Sequence, residues 1–376
     1  MEPFNNGASP ASRALDRIRR LARSRVADAG FFAELSPLLR EVVPFDAAFW
    51  TAADPLTLLA TSPRRLENMP RGNVCDRYWE NEFFVEDVIH FRVLARQKVP
   101  AASLYRATDG RPTRSSRYHT LNLSLGLGDE LRCVFRTGGD VWGYACLWRA
   151  QGAPPFTAAE VRTVASLSAP IADAFRRAAL LRPEPPLELP EAPGVLTFDR
   201  SGTLESFTDT AERWVRELPL TPPYDDRGPL PLPFELRAVV NKARAVALGR
   251  DTGTARARLQ VHGRWLMLHG FPLRQPNTAE SKIALVIEPV QSADLAPIII
   301  KAYQLGRREQ QITRMVASGL STAEIAARLC LSTHTVRDYL KQVFEKVEVS
   351  TRSGLVAKIF ADHYRNMPSP DLPIEG

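Results

Sequence analysis

The sequence predicts a multidomain chain: two α+β domains followed by an all-α, four-helix domain. Three observations predict it. At 376 residues the chain has room for two or three domains of the usual ~100–200 residues. Strand-like and helix-like patterns alternate as far as residue 290, and beyond that only helical spacing remains. Between the first two domains, residues 182–193 (RPEPPLELPEAP) carry five prolines, a composition that makes a semi-rigid, extended linker.

Composition excludes several classes. Apolar residues at 44% and charged residues at 24% match globular averages and argue against a disordered or collagenous chain. No apolar run approaches the ~20 residues of a membrane span, and the N-terminus lacks the apolar core of a secretion signal. Cys75, Cys133, Cys146 and Cys330 show no CxxC pair and no zinc-like spacing. They read as reduced thiols of a cytoplasmic protein. The net charge of +7 is unevenly placed: residues 12–25 hold six arginines against one aspartate, and residues 305–365 hold ten Lys/Arg against six acids. Positive charge gathered at the two ends suggests a polyanion partner.

Taken in order, residues 1–29 form a basic extension. Ala14, Leu15, Ile18, Leu21 and Ala22 share one face of a helix whose other face is arginine; a flanking or dimer helix is favoured over a membrane-surface or nucleic-acid role. The first α+β domain spans 30–181. Phe31–Val43 is helical up to Pro44, Phe45–Trp50 and Leu56–Thr61 read as strands, and Asp129–Arg136 with Val141–Arg149 reads as a hairpin through Thr137–Asp140. Thr157 and Glu160 form a capping box opening one long helix to Leu181. After the linker, residues 194–290 offer strands at Val195–Asp199 and near Leu204–Phe207. Helices follow at Asp209–Leu218 and Phe234–Leu248, then strands at Arg256–Val261, Trp265–Pro272 and Lys282–Pro289. Residues 291–300 read as a second linker, 301–366 as the helical domain and 367–376 as a disordered tail. No internal repeat stands out.

The helical domain carries the sharpest signal. Arg307–Ser318 is helical and stops at Gly319, a residue suited to the position after a helix. Ser321 and Glu324 form a capping box on a short second helix with Ile325, Ala326 and Leu329 inside. After a tight turn, Ser332 caps a third helix. Short helix, tight turn, longer helix is the helix-turn-helix arrangement. The third helix has an apolar seam (Val336, Leu340, Val343, Val347) and a polar stripe (His334, Arg337, Asp338, Lys341). In the major groove Arg337 can donate bidentately to guanine, Lys341 to guanine or a phosphate, His334 can offer a donor or acceptor to a base, and Asp338 can accept from cytosine N4.

With those residues in view, the segment LGRREQQITRMVASGLSTAEIAARLCLSTHTVRDYLKQVFEKVEVSTRSGLVAKIF resembles the LuxR/FixJ/GerE-type helix-turn-helix domain of bacterial transcription regulators. The matching pieces are Arg308-Glu309, Gly319-Leu320-Ser321, Glu324-Ile325-Ala326, Thr335-Val336-Arg337 and Val349-Ser350-Thr351-Arg352. The resemblance implies a four-helix fold whose third helix enters the major groove, with Arg337, Asp338 and Lys341 facing bases. It also implies DNA-backbone contacts at Ser321, Thr322, Thr335 and Arg352. Leu355, Val356, Ile359 and Phe360 would line a fourth helix that supports dimerisation. Gly306 departs from the family's threonine cap, Glu348 from a common glycine and Tyr339 from a common histidine. If position 348 needs a positive φ, glutamate there is strained.

Residues 30–181 resemble a GAF-type domain, through LGDELRCVFRTGGDVWGYACLWR and PFTAAEVRTVASLSAPIADAF. Residues 194–290 are similar to a PAS domain through VLTFDRSGTLESFTDTAERWV, with Thr208 where asparagine is common. Such domains bind small molecules, carry cofactors or dimerise. An apolar effector pocket is expected from Trp50, Trp79, Phe84 and Trp142, of unknown ligand. No metal or catalytic site is expected: Cys75, His90, His119, His262 and His269 lack ligand spacing, and GxSxG, Walker A, HExxH and strand-linked GxGxxG motifs are absent. The expectation is a cytoplasmic, bacterial, sequence-specific DNA-binding transcription regulator without enzymatic activity or a resident cofactor. Its expected partners are double-stranded DNA, a second copy of itself, a small-molecule effector and RNA polymerase. The alternative is a signalling adaptor whose sensor domains bind a partner protein.

Overall fold

The computed structural model describes residues 9–28, 30–69, 74–181, 190, 192–219, 229–274 and 281–361, the side chains of Val74, Ser292, Phe360 and Ala361 excepted. The tail expected at 367–376 lies outside these residues, as does most of the linker expected at 182–193. The chain forms two compact units, one containing both sheets and the other the helices from Val290 onward.

The sheet unit opens with α1 (Pro10–Ser24), whose first turn is capped by Ser9 and whose Ala14, Ile18 and Ala22 are buried. After α2 (Phe31–Arg40), β1 (Ala47–Ala53) pairs antiparallel with β2 (Ala60–Glu67). The second strand begins later than its apolar pattern suggests. Asp54 bends the chain first, its carboxylate accepting the Leu56 N–H at 2.8 Å, so Pro55–Thr57 form a turn and Leu58–Leu59 only lead into β2. Helices α3 (Val74–Phe84) and α4 (Phe91–Leu94), strand β3 (Ala101–Ser103) and helix α5 (Leu104–Ala107) lead to the long hairpin of β4 (Leu127–Thr137) and β5 (Asp140–Ala150). Gly138 and Gly139 turn it at φ +60° and +89°. The Thr157–Glu160 capping box is present, but the single long helix is not. It divides at Leu167 into α6 (Ala158–Ser166) and α7 (Ser168–Ala178). Pro170 cannot donate to the turn before it, and the Ser168 hydroxyl is drawn to the Val134 carbonyl at 2.7 Å.

The first sheet has the order β2-β1-β5-β4-β3. Every residue of β1 is buried, so both faces of the sheet are covered. Neighbouring side chains therefore enter different cores. Trp50 stacks on Phe32 and Phe135, whereas Phe49 meets Tyr78, Tyr144 and Phe234.

The remaining elements of this unit are β6 (Gly194–Phe198), β7 (Leu204–Phe207), α8 (Asp209–Glu217), α9 (Phe234–Ala247), β8 (Ala255–Val261), β9 (Arg264–Arg274) and β10 (Ser281–Pro289). Thr208 caps α8 through its hydroxyl, which accepts the N–H groups of Ala211 and, across the turn, Val195. The second sheet runs β7-β6-β10-β9-β8. Counted from its own first strand, each sheet has the order 2-1-5-4-3, a repetition with no obvious trace in the residues.

The two α+β halves are not separate bodies. Helix α9 carries Phe234 and Ala238 into the core of the first half. Asp54 pairs with Arg258 at 2.8 Å, Asp76 with Arg237, and Arg64 with Glu235, each pair joining one half to the other. A proline-rich segment marks a break in the chain, but tertiary burial decides whether the flanking pieces part. The first half also buries charge: Arg117 pairs with Glu130 at 2.8 Å and Arg132 with Glu82 at 2.6 Å. Burial alone would raise both carboxyls, yet the facing guanidinium groups hold them below the usual carboxylate range.

In the second unit the residues read as a linker, 291–300, instead form most of α10 (Ser292–Ala302). Ala296 and Ile300 lie in the unit's core, and that burial outweighs the backbone hydrogen bond forfeited at Pro297. Then come α11 (Arg307–Ala317), α12 (Thr322–Leu329), α13 (Thr333–Val347) and α14 (Arg352–Val356), which continues as a wider helical turn to Ala361. Among the described residues no helix is long and apolar enough to cross a membrane.

Candidate nucleic-acid interface

The site is built around α13, whose start is defined chemically on both sides. Ser321 caps α12, its hydroxyl accepting the Glu324 N–H at 3.3 Å while its own N–H donates to the Glu324 carboxylate at 2.7 Å. Hydrogen bonds from the Ser321 side chain and then from its N–H hold the Glu324 carboxyl below the usual range. The chain then turns at Cys330, φ +53°, and the Leu331 N–H reaches back to the Ala326 carbonyl at 2.9 Å. Ser332 caps α13 by accepting the Thr335 N–H at 3.0 Å. The result is a rigid turn that fixes where the first residues of α13 point.

Val336, Leu340, Val343 and Val347 are buried in the helical core. His334, Arg337, Asp338 and Lys341 are all exposed, and at about 100° per residue they fall within an arc of about 100° on the opposite side. Arg337 and Lys341 make no ion pair among the described residues, so both cations are available to a ligand. Asp338 is engaged: His334 Nδ1 lies 3.0 Å from its carboxylate, one helical turn away. Spacing put these two residues on one face, but their pairing with each other was not foreseen.

The helix is braced from behind by a contact the sequence did not announce. Glu309, 4% exposed, accepts the Gly306 N–H and the Lys346 ammonium, the latter at 2.7 Å. Glu309 is thus held although Gly306 carries no hydroxyl, and the Lys346 bond ties α11 to α13. Glu348 closes α13 at φ +57°, the left-handed conformation that makes glutamate strained there.

Other expected site residues fare differently. Ser321 is exposed, while Thr322 and Thr335 are half-buried. Arg352 donates to the Leu320 carbonyl and to the Thr322 hydroxyl, bolting α14 to the loop before α12, so its guanidinium is engaged internally. Leu355 and Ile359 are each 1% exposed in the core of their own unit and Val356 packs against that core; an apolar side chain already buried there offers little to a second copy. The Phe360 side chain lies outside the described residues.

In the sheet unit Trp50, Trp79 and Trp142 are buried, and the four expected pocket residues do not converge. Trp79 packs on Tyr78, Phe83 and Phe234, and Phe84 lies under the Arg244 guanidinium. A polar cleft of about 550 Å³ instead opens between α3, the β6–β7 turn and α9, lined by residues including Asp76, Arg77, Ser201, Asn241 and Arg244. None of the four aromatics lines it. Among the described residues no cluster of three or more His, Cys, Asp or Glu is placed to hold a metal ion.

Comparison with known proteins bears on the helical unit. The GerE model, bacterial regulatory proteins of the luxR family, matches residues 303–359. An uncharacterised transcriptional regulatory protein of Bacillus subtilis, YhcZ, is 35% identical over 95 residues, 24% of this chain and 44% of that protein. The transcriptional regulatory protein DesR of the same organism is 40% identical over 58 residues, 15% of this chain and 29% of that protein. The chain thus spans less than half the length of these curated relatives. Among solved structures, Escherichia coli SdiA is 12% identical, with 95% of this chain and 99% of SdiA covered at a TM-score of 0.33. That likeness is too slight to bear on the fold. Cap, turn, buried seam and family match agree: residues 303–359 are a luxR-family helix-turn-helix domain, and the relatives they resemble are transcriptional regulators.

Proposed function

We propose that the chain is a sequence-specific DNA-binding transcription regulator whose α13 reads the major groove under the control of the sheet unit. One observation carries the reading. Two exposed cations, Arg337 and Lys341, make no ion pair among the described residues and stand on the outer face of a helix whose start is fixed by a capped turn. A guanidinium in that position matches the two acceptors of guanine. Ser321 and Thr335, near the starts of α12 and α13, would meet phosphates. A dimer on two half-sites about one helical turn apart completes the proposal.

The sheet unit is assigned the sensing part, and its halves resemble GAF and PAS domains in sequence. The test of the reader is selection from random duplex DNA by the parent chain and by Arg337→Ala. The parent should enrich one motif. The variant should bind it about 5–150-fold more weakly, the equivalent of ~1–3 kcal/mol, and lose its preference at one base position. Equal weakening on every sequence would make Arg337 a phosphate contact, and no enrichment by the parent would favour an adaptor that works through a protein partner.

A further inference from the structure

Helix α1 is the most basic segment of the sheet unit, and the structure shows which of its faces is buried and which is exposed. Ala14, Ile18 and Ala22 are each 0–1% exposed, packed toward α2 and α7. The α1 end is further pinned by Arg177 of α7, which donates to the Ala22 and Arg25 carbonyls. An amphipathic helix that lies on a membrane needs its apolar face for lipid, and a pairing helix needs it for a partner helix. Here that face is already occupied, so neither use fits.

The opposite face is arginine. Arg13, Arg17, Arg20 and Arg23 are exposed and Arg19 is partly so. Asp16 lies 3.2 Å from Arg19, and Glu41 lies 3.5 Å from Arg17. Arg20 and Arg23 form no ion pair among the described residues. Arg13, Arg17 and Arg20 form one row about 10 Å long at ~1.5 Å per residue. Phosphates of one DNA strand recur every ~3.4 Å along the duplex, so such a row can meet more than one. Every cation between residues 12 and 25 is an arginine, the side chain whose planar fork matches a phosphate.

We propose that the exposed arginine face of α1 is a second DNA-binding surface, holding phosphates of the bound duplex without reading bases. The identity of the polyanion rests on the DNA-binding reading above; the surface itself does not.

The test compares the full-length parent with Arg13→Gln/Arg17→Gln/Arg20→Gln. Binding is followed by fluorescence anisotropy across a salt series, on the selected duplex and on a scrambled one, both extended about 20 base pairs beyond the site. Each phosphate contact contributes a slope of about −0.9 in log K against log salt. The triple variant should therefore show a slope shallower by about 2–3 on both duplexes, with base preference kept. An unchanged slope on both overturns the proposal. Should the triple variant melt early, Arg20→Gln/Arg23→Gln removes two cations with no ion pair to lose, and a slope shallower by about 1–2 is expected. Co-sedimentation of the parent with anionic phosphatidylglycerol vesicles, lost in the variant while the DNA slope stays, would assign the face to a membrane and overturn the proposal. Failure of the reader is seen separately: a parent without base preference whose scrambled-duplex slope still depends on these arginines sinks the function above and leaves this surface standing.

Discussion

Replacing Phe234 by alanine tests whether the two α+β halves are one cooperative body. Phe234 begins α9 in the second half, yet its ring lies 4.9 Å from Phe49, 5.7 Å from Tyr78 and 4.6 Å from Trp79, centroid to centroid, all in the first half. Its backbone carbonyl also accepts the Trp79 indole N–H at 3.3 Å, a bond the substitution leaves in place. Buried Phe→Ala changes cost ~3–5 kcal/mol. With the side chain 9% exposed, the lower part of that range applies, about 3–4 kcal/mol. For a unit of this size each kcal/mol moves the midpoint by about 2–4 °C, so a fall of about 6–16 °C is expected. The missing ring sits at the junction, so scanning calorimetry should also show the sheet-unit transition broaden or split. A fall under about 2 °C, with one peak of unchanged width, would refute the idea that this ring joins the halves.

Leu355→Ala should destabilise the helical unit by ~2–5 kcal/mol, seen as an early melt by circular dichroism; loss of a dimer in size-exclusion chromatography with an unchanged melt would instead return Leu355 to an interface. Glu82 and Glu130 have depressed carboxyl pKa values, so the stability they confer is complete above the unfolded value near ~4.5 and fades as pH falls through their lower folded values. Asp54 and Asp129, raised chiefly by burial, offset part of that loss. Melting temperatures measured from neutral to acid pH should therefore fall below about pH 4.5, and a rise there would contradict the assignment. Cys330 is the one exposed thiol, while burial lifts Cys75 to about 11 and Cys146 to about 12 and raises Cys133 further. Reaction with a thiol reagent should modify one cysteine per folded chain and all four after unfolding; a fast second equivalent would show the core to be open.

The helical unit was legible because its instructions are local. Ser321, Glu324 and Ser332 act within three residues of themselves, and the seam of α13 follows from helical spacing alone. What escaped were contacts between residues far apart in the chain. Glu309 finds Lys346 thirty-seven residues away, and Arg352 finds Leu320 thirty-two residues away; each changes the reading of both partners. The same limit applies to the sheets. Alternation located most strands, but Asp54 delayed β2 through a side-chain bond that hydrophobicity does not record. Aromatic residues pointed to a pocket because apolar bulk suits a ligand and a core equally well, and burial in different cores separates Trp50 from Trp79. The apparent linker at 291–300 failed for a related reason: Pro297 breaks the local helical pattern, whereas Ala296 and Ile300 are buried against residues far along the chain.

The engagement of Arg352, Leu355 and Ile359 inside the helical unit bears on how such a chain could be rebuilt. A module whose fourth-helix side chains are committed inward is self-contained, and base preference and copy spacing become separable properties. If α13 reads bases as proposed, grafting residues 290–376 onto an unrelated dimeric carrier would transplant that preference, while the distance and phase between sites would come from the carrier. Conversely, on the proposed reading, exchanging the four outward residues of α13 would redirect the chain to new sites and leave the sheet unit unchanged.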